Sequence, residues 1–396
     1  MAPQPLSRYQ GSQKNRGPSM RKSDRGQVDP FIVMDVMADA ARAEAAGRHI
    51  IHMEVGQPGT PAPEGARRAL ADALDAPLGY TVALGLPELR QGIADLYRRW
   101  YGIDLDPARV VVTAGSSGAF VLAFSALFEA GDKVAMGFPG YPSYRQILRA
   151  MSLDPVGIPT RPEDRFQPRP EDLPDAQGLI VASPGNPSGT VLTVPELQAL
   201  SDATKARGMT LISDEIYHGL SYGDRCHSAL EVTDDVIVIN SFSKYFSMTG
   251  WRVGWMVVPP DMVRTFERLA QNMFICPPHA SQIAALAALD CIPEAEANLA
   301  VYARNRSLML EGLPKAGFDR IAPPEGAFYV YADVSHLTDN SLDLAREILD
   351  GAGVAVTPGL DFDPERGGQW LRFSYARATE DIAEGLRRLT DFMAAR

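Results

Sequence analysis

From about residue 109 onward the chain repeats one pattern, and that pattern leaves few folds open. Short, continuously apolar runs rich in Val and Ile alternate with helical stretches. The runs are RVVVTAG (109–115), KVAMGFP (133–139), GLIVASP (178–184), MTLISDEIY (209–217), VIVINSF (236–242) and WRVGWMVVP (251–259). A strand that is apolar along its whole length must be covered on both faces. The helical stretches between the runs supply that cover. The expectation is an α/β fold: a mostly parallel central sheet with flanking helices. With 396 residues, of which 45% are hydrophobic, the chain can bury a large core and divide into two or three domains.

The two ends of the chain read differently. Residues 33–47 (VMDVMADAARAEAAG) have helical spacing and close on Gly47. A strand, HIIHMEV (49–55), and the turn GQPGTPAP (56–63) follow. Residues 64–75 and 87–101 read as helices, the second opening on Pro87-Glu88, which suits a first turn. After about residue 262 comes a long helical stretch. The last 90 or so residues mix helices with GAFYVYADV (326–334), VAVTPG (354–359) and WLRFSYA (370–376). We therefore expect a large domain over 61–295 and a smaller α+β domain built from 26–60 and 296–396. Residues 1–25 are polar and basic without the apolar segment of a signal peptide. They read as a flexible or vector-derived arm.

A net charge of −11 argues against a nucleic-acid partner, which favours a basic surface. The three cysteines, Cys226, Cys276 and Cys291, lack the spacing of a disulfide framework or zinc site. They fit a reducing compartment, and a cytoplasmic location is expected. No run of about eighteen apolar residues suggests a membrane span. His49 and His52, three apart on a predicted strand, point to opposite faces and so do not suggest shared metal ligands.

The residues with chemical potential gather just past the predicted strands, where ligands bind in open α/β sheets. In NSFSKYFSMTGWRVGW (240–255), Lys244 is flanked by Ser241, Ser243 and Arg252. A lone lysine in a loop is ordinarily solvated; one beside anion-binding groups suits imine formation next to a phosphate. Asp214 ends a buried strand, with Tyr217 three residues on; by itself a strand-end Asp is as often a helix cap. TAGSSGAF (113–120) places Gly115, Ser116 and Ser117 at a helix start, where backbone N–H groups bind phosphate. A serine-capped helix would look the same. SPGNPSGT (183–190), taken alone, is a plain turn. His218 after Tyr217 and the apolar residues of LAQNMFIC (269–276) suit core or pocket wall.

As an ordered set, VGQPG, YTVALGLPELR, TAGSSGAF, FPGYPSY, SPGNPSGT, SDEIY, SFSKYFSMTGWRVGW, GAFYVY and WLRFSYA resemble the class I/II aminotransferases of pyridoxal-phosphate fold type I. The match runs from about residue 30 to the C-terminus. The resemblance implies pyridoxal 5'-phosphate as cofactor and Lys244 as the lysine bonded to it as a Schiff base. It implies Asp214 as partner of the pyridine nitrogen, and Tyr217 and Asn186 as partners of the ring oxygen. Arg252, Ser241, Ser243, Gly115, Ser116 and Ser117 fall in the phosphate cup. Tyr141 falls where an aromatic ring stacks on the cofactor. Arg372 resembles the grip on the substrate α-carboxylate, with Gly56 and Asn186 beside it. Tyr80 resembles the tyrosine that reaches the neighbouring subunit's phosphate, which implies a homodimer. The resemblance also implies ping-pong transfer between an L-amino acid and a 2-oxo acid. Some aspartate-specific members carry a lysine where this chain has Ser117, so a neutral or aromatic donor is expected. Phe362-Asp363 departs from the more usual Phe-Gly pair near the entrance. The same residues would serve a carbon–sulfur β-lyase of this fold, since fold and cofactor do not fix the reaction. A DNA-binding sensor would need a helix-turn-helix segment, which residues 1–30 do not suggest. An inactive relative would be expected to lack some of these residue types.

Overall fold

The computed structural model describes residues 20–396. Most of the arm expected over 1–25 lies outside the described residues. Asp24–Gly26 form a single 3₁₀ turn, and Arg25 Nε donates to Ser152 Oγ at 3.0 Å. Helix α1 (Ile32–Ala45) leads to a short strand β1 (Ile51–His52), then α2 (Glu64–Ala73) and α3 (Pro87–Tyr101). Pro87 occupies the first turn of α3, and Gly102 closes it in the left-handed region at φ 73°, which costs glycine little.

Strand β2 (Val110–Thr113) and α4 (Gly115–Leu127) open the alternating region. Next come β3 (Lys133–Phe138), α5 (Pro142–Ala150), β4 (Asp154–Pro159), β5 (Gly178–Ala182), α6 (Val194–Ala206), β6 (Thr210–Asp214), β7 (Ile237–Ser241) and β8 (Gly254–Val257). These strands form one seven-stranded sheet in the order β2-β8-β7-β6-β5-β3-β4. Every pairing is parallel except those of β8 with β7 and β2. The mostly parallel α/β expectation holds. β4 was not expected. It carries Pro155 and Pro159 and lies at the sheet edge, the position that tolerates a missing N–H.

Side-chain alternation explains why the strands are apolar throughout. Val110, Val112, Leu179, Val181, Leu211, Val238 and Trp255 enter one buried layer. Their neighbours Val111, Ile180, Ile212, Ile237, Ile239 and Met256 enter the other. Successive residues face opposite sides of a strand, so both faces are dry. Leu89 and Ile93 of α3 and Leu197 and Leu200 of α6 cover the first. Phe120 and Phe124 of α4 and Leu148 of α5 cover the second.

Helices α7 (Val263–Met273), α8 (His279–Ala288) and α9 (Ile292–Lys315) lead to β9 (Arg320–Ile321), β10 (Tyr329–Asp333), α10 (Ser341–Ala352), β11 (Val354–Ala355), β12 (Thr357–Pro358), β13 (Trp370–Ser374) and α11 (Thr379–Ala395). Here β12-β13-β10-β9 form an antiparallel sheet, while β11 pairs in parallel with β1. The segment VAVTPG, expected as one strand, therefore divides between two sheets. The expected strand over 49–55 is reduced to Ile51–His52, because its partner β11 is equally short. No helix among the described residues is long and apolar enough to cross a membrane.

The N-terminus of α1 is capped from far away in sequence. Phe31 makes no side-chain cap. Instead the buried Asp361 carboxylate accepts from Ile32 N at 3.0 Å and Val33 N at 3.1 Å. Its carbonyl accepts from Arg145 Nη2 of α5 at 2.7 Å. Asp361→Ala should therefore lower stability by about 1–2 kcal/mol, the worth of a lost helix cap, seen as a lower urea midpoint. Asp361→Asn, which keeps one acceptor, should lose less. An unchanged midpoint in the alanine variant would refute this anchoring.

Candidate active site

One edge of the large sheet collects the polar residues. The carboxyl ends of β2, β3, β5, β6 and β7 share it, and the antiparallel β8 contributes its amino end. Ligands bind at that edge in open α/β sheets. A cavity of about 560 Å³ opens there, within the range of about 300–1,000 Å³ common for small-molecule sites.

Lys244 follows β7 in a turn pinned by Phe242 and Phe246, both fully buried, with ring centroids 5.1 Å apart. Ser241 Oγ and Ser243 Oγ lie 2.8 Å apart, and Ser241 Oγ donates to Val253 O at 3.0 Å. This ties the turn to the entry of β8. Lys244 Nζ projects into the cavity and donates to Gly56 O at 2.7 Å. Burial, then the nearby Arg372 and Arg252 cations, push its pKa down to about 8, while Asp214 opposes them.

Asp214 ends β6 and is 4% exposed. Burial raises its pKa to about 6, opposed by hydrogen bonds from the Tyr144 hydroxyl and from Ile216 N at 3.1 Å. The sequence reading missed Tyr144. It sits three residues after Tyr141 at the start of α5, and only the fold shows that it reaches Asp214. Tyr141 and Tyr217 also line the cavity. Tyr217 Oη lies 2.7 Å from Tyr329 Oη, a second residue the motifs left without a role.

Arg252 adopts the left-handed region at φ 53° and donates to Thr249 O at 2.8 Å. It lies against Gly115, where an added Cβ would overlap the guanidinium. The first turn of α4, with Ser116 and Ser117, faces the same space. An arginine beside uncovered helical N–H groups makes an anion cradle. Gly115 and Ser241 support the lining from behind.

Arg372 on β13 is 3% exposed. Its Nη1 donates to Asn186 Oδ1 at 2.9 Å, and its Nη2 to Glu54 O and to Thr357 Oγ1 at 3.2 Å. Its carbon Cζ lies 4.3 Å from the Tyr329 ring centroid and 4.7 Å from that of Phe362. Its Nε is buried with no partner among the described residues. Phe362, the member of the pair shared with the usual Phe-Gly, places its ring against Arg372, while the departing residue Asp363 holds Arg366 Nε at 2.8 Å. Phe31, Val33 and Met34, around the start of α1, form an apolar wall that sequence spacing did not assign to the cavity.

Some expected residues lie elsewhere. Tyr80 is 82% exposed and lines no part of this cavity. His218 is buried behind the site, 2.5 Å from the Tyr101 hydroxyl and 2.8 Å from Ser183 O. Burial lowers its pKa to about 3. His52 is engaged by Glu54 at 2.8 Å and Glu44 at 3.0 Å, which raise its pKa to about 9 against the effect of burial. The three cysteines are free.

The sequence profile described as "Aminotransferase class I and II" matches residues 48–389. The chain belongs to that family. It is 49% identical over 378 residues to valine–pyruvate aminotransferase of Mycobacterium tuberculosis, covering 93% of this chain and 97% of that protein. The crystal structure of a candidate aminotransferase from Silicibacter pomeroyi is 67% identical, with a TM-score of 0.92, covering 95% of this chain and 100% of that one. Aspartate aminotransferase from Thermus thermophilus with maleate is 32% identical, with a TM-score of 0.87, over 94% of this chain and 100% of that one.

The protein is an aminotransferase, and the cofactor of its family is pyridoxal phosphate. The cavity fits that group. It offers a half-buried primary amine, a buried carboxylate aimed inward, and a glycine-floored arginine cradle.

The lowered pKa of Lys244 gives a direct test. In cofactor-free protein, acylation of Lys244 read by mass spectrometry should be half-maximal near pH 8. Arg372→Leu removes a nearby like charge and should move that midpoint upward. A wild-type midpoint near the ordinary lysine value of about 10.4 would contradict the electrostatics described.

Proposed function

We propose that the protein transfers the amino group of a neutral, apolar L-amino acid to a 2-oxo acid by a ping-pong route, with Lys244 carrying the cofactor. The observation that supports this reading is that Lys244, Asp214 and Arg372 open on one cavity whose adjoining wall is Phe31, Val33 and Met34. The cationic residues lining that cavity are Lys244, Arg252 and Arg372. In this reading Arg252 serves a phosphate and Arg372 an α-carboxylate. That leaves none of these cations for a second carboxylate on the substrate side chain. The M. tuberculosis relative, named for valine and pyruvate, points the same way.

Arg372, Asn186 and Gly56 would hold the substrate end-on, a guanidinium fork matching a carboxylate bidentately. Ser116, Ser117, Ser243 and Arg252 would hold the cofactor phosphate, and Asp214 would keep the pyridine nitrogen protonated. Tyr217 and Asn186 would donate to the ring oxygen. Bound pyridoxal phosphate supplies an electron sink conjugated to the substrate Cα. Lys244 Nζ, neutral above its lowered pKa, would take the Cα proton as a general base and, as a general acid, would hand it to the cofactor's C4′ carbon, across the amino nitrogen from Cα. Donor and acceptor acids would use the same pocket in turn.

The reading includes a second copy of the chain. Leu74, Leu78, Tyr80 and Val82 are exposed, as are Met273, Phe274 and Ile275. Thr81 N donates to Cys276 Sγ at 3.4 Å, which joins the two segments into one surface. Such a patch suits a protein interface, and would let Tyr80 reach a neighbouring site.

Spectra of the holoenzyme mixed with single L-amino acids, without acceptor, test the proposal. Valine should convert the cofactor to its amine form, and a 2-oxo acid should restore it. Aspartate should react roughly a hundredfold more slowly, because its side-chain carboxylate would be buried unpaired. Lys244→Ala should abolish turnover. Equal rates for aspartate would overturn the donor class.

A further inference from the structure

Tyr329 sits at the start of β10, at the junction of the groups discussed above. Its side chain is buried, with 1% exposure. Its hydroxyl lies 2.7 Å from that of Tyr217, its one hydrogen-bond partner among the described residues. Its ring supports Arg372, whose Cζ is 4.3 Å from the ring centroid. It also explains Gly56: a Cβ there would collide with the Tyr329 hydroxyl, and Gly56 O is the acceptor of Lys244 Nζ. One ring thus touches the arginine, the tyrosine and the backbone that holds the lysine.

We infer that Tyr329 is a positioning residue that couples Arg372 to Tyr217, its ring face orienting the guanidinium and its hydroxyl donating to the Tyr217 oxygen. This rests on the proposed placement of Tyr217 at the cofactor's ring oxygen. The direction of the hydrogen bond follows from counting protons. Each phenol has one proton to give. If Tyr217 spends its proton on an anionic ring oxygen, its own oxygen is left to accept. Tyr329 has no other acceptor, so it donates. A hydroxyl that accepts one hydrogen bond donates the next more strongly, and Tyr217 becomes a better stabiliser of negative charge. The titratable groups facing this pair are Arg372, Tyr141 and Lys244, whose Nζ lies 5.8 Å from the Tyr217 ring centroid.

The two halves of Tyr329 separate by substitution. Tyr329→Phe keeps the ring under Arg372 and removes the hydroxyl; as a near-isosteric change it preserves packing. Tyr329→Leu removes both. Tyr217→Phe serves as reference. The readouts are the pH midpoint of the bound cofactor's visible absorbance and the KM and kcat for the amino donor. Loss of a proton from the bound cofactor concentrates negative charge on its ring oxygen, so weakening the donor there raises the midpoint. Tyr217→Phe should raise it. Tyr329→Phe should raise it less, by about half to one pH unit, the scale of one hydrogen bond. Its KM for the donor should stay within about twofold. Tyr329→Leu should add a rise in KM of about fivefold to tenfold, as expected for losing a buried cation–π contact. A wild-type midpoint in Tyr329→Phe, beside a shifted Tyr217→Phe, overturns the coupling and leaves the role of Tyr217 standing. No shift in Tyr217→Phe overturns the placement on which the inference rests. An unchanged KM in Tyr329→Leu overturns the part assigned to the ring.

Discussion

Three cations line one cavity with a single carboxylate, Asp214: Arg372 is buried, Lys244 half-buried and Arg252 exposed at the rim. Like charges repel more strongly as they leave water, and here each is held by a backbone that other parts of the fold fix. The sheet fixes Lys244 and Arg252, the α4 turn fixes Gly115, and β13 fixes Arg372. The repulsion also has a use. It is one reason Lys244 can shed its proton near pH 8, and the charged side chains lining the site sum to a positive balance. Such a pocket favours anions, and the proposed reading needs two of them, a phosphate and a carboxylate. The chain as a whole carries −11, so the positive potential is local to the cleft.

The sheet places these charges by topology. β2, β3, β5, β6 and β7 run the same way, so the turns that follow them meet at one edge. β8 runs against them, so the residues before it arrive there too. Thr113 and Ser241 both pair with Gly254. That register brings the turn that opens α4 and the lysine turn to either side of Arg252. The antiparallel β8 is therefore a requirement of the site, since a parallel strand would have carried Arg252 to the opposite edge.

This geometry was only partly legible in the sequence. The dry sheet announced itself because strands buried on both faces cannot hide their composition. The turns at its edge could be placed because each directly follows such a strand. Strand β4 escaped because Pro155 and Pro159 read as breakers, and only its edge position excuses them. Tyr144 and Tyr329 escaped for a different reason. Their partners, Asp214 and Tyr217, are distant in sequence, and nothing local to SYR or FYV marks a hydroxyl that crosses the cavity. The wall of Phe31, Val33 and Met34 was concealed at the start of an ordinary amphipathic helix. It faces the cavity because Asp361, more than three hundred residues away, caps that helix.

The surroundings of Arg372 show how a buried cation stays available. All its hydrogen-bond acceptors are neutral: an amide oxygen of Asn186, a backbone oxygen of Glu54 and a hydroxyl of Thr357. A carboxylate is close in sequence to one of them, yet the Glu54 side chain turns away and pairs with His52. His52 holds its proton up to about pH 9, so at neutral pH Glu54 is already matched. Had Glu54 paired with Arg372 directly, a substrate carboxylate would have had to displace it, losing one buried ion pair to form another. Neutral acceptors and aromatic rings orient the guanidinium without cancelling its charge. In the proposed reading the full attraction falls to the carboxylate that enters, and the apolar wall of Phe31, Val33 and Met34 bears on the choice of side chain.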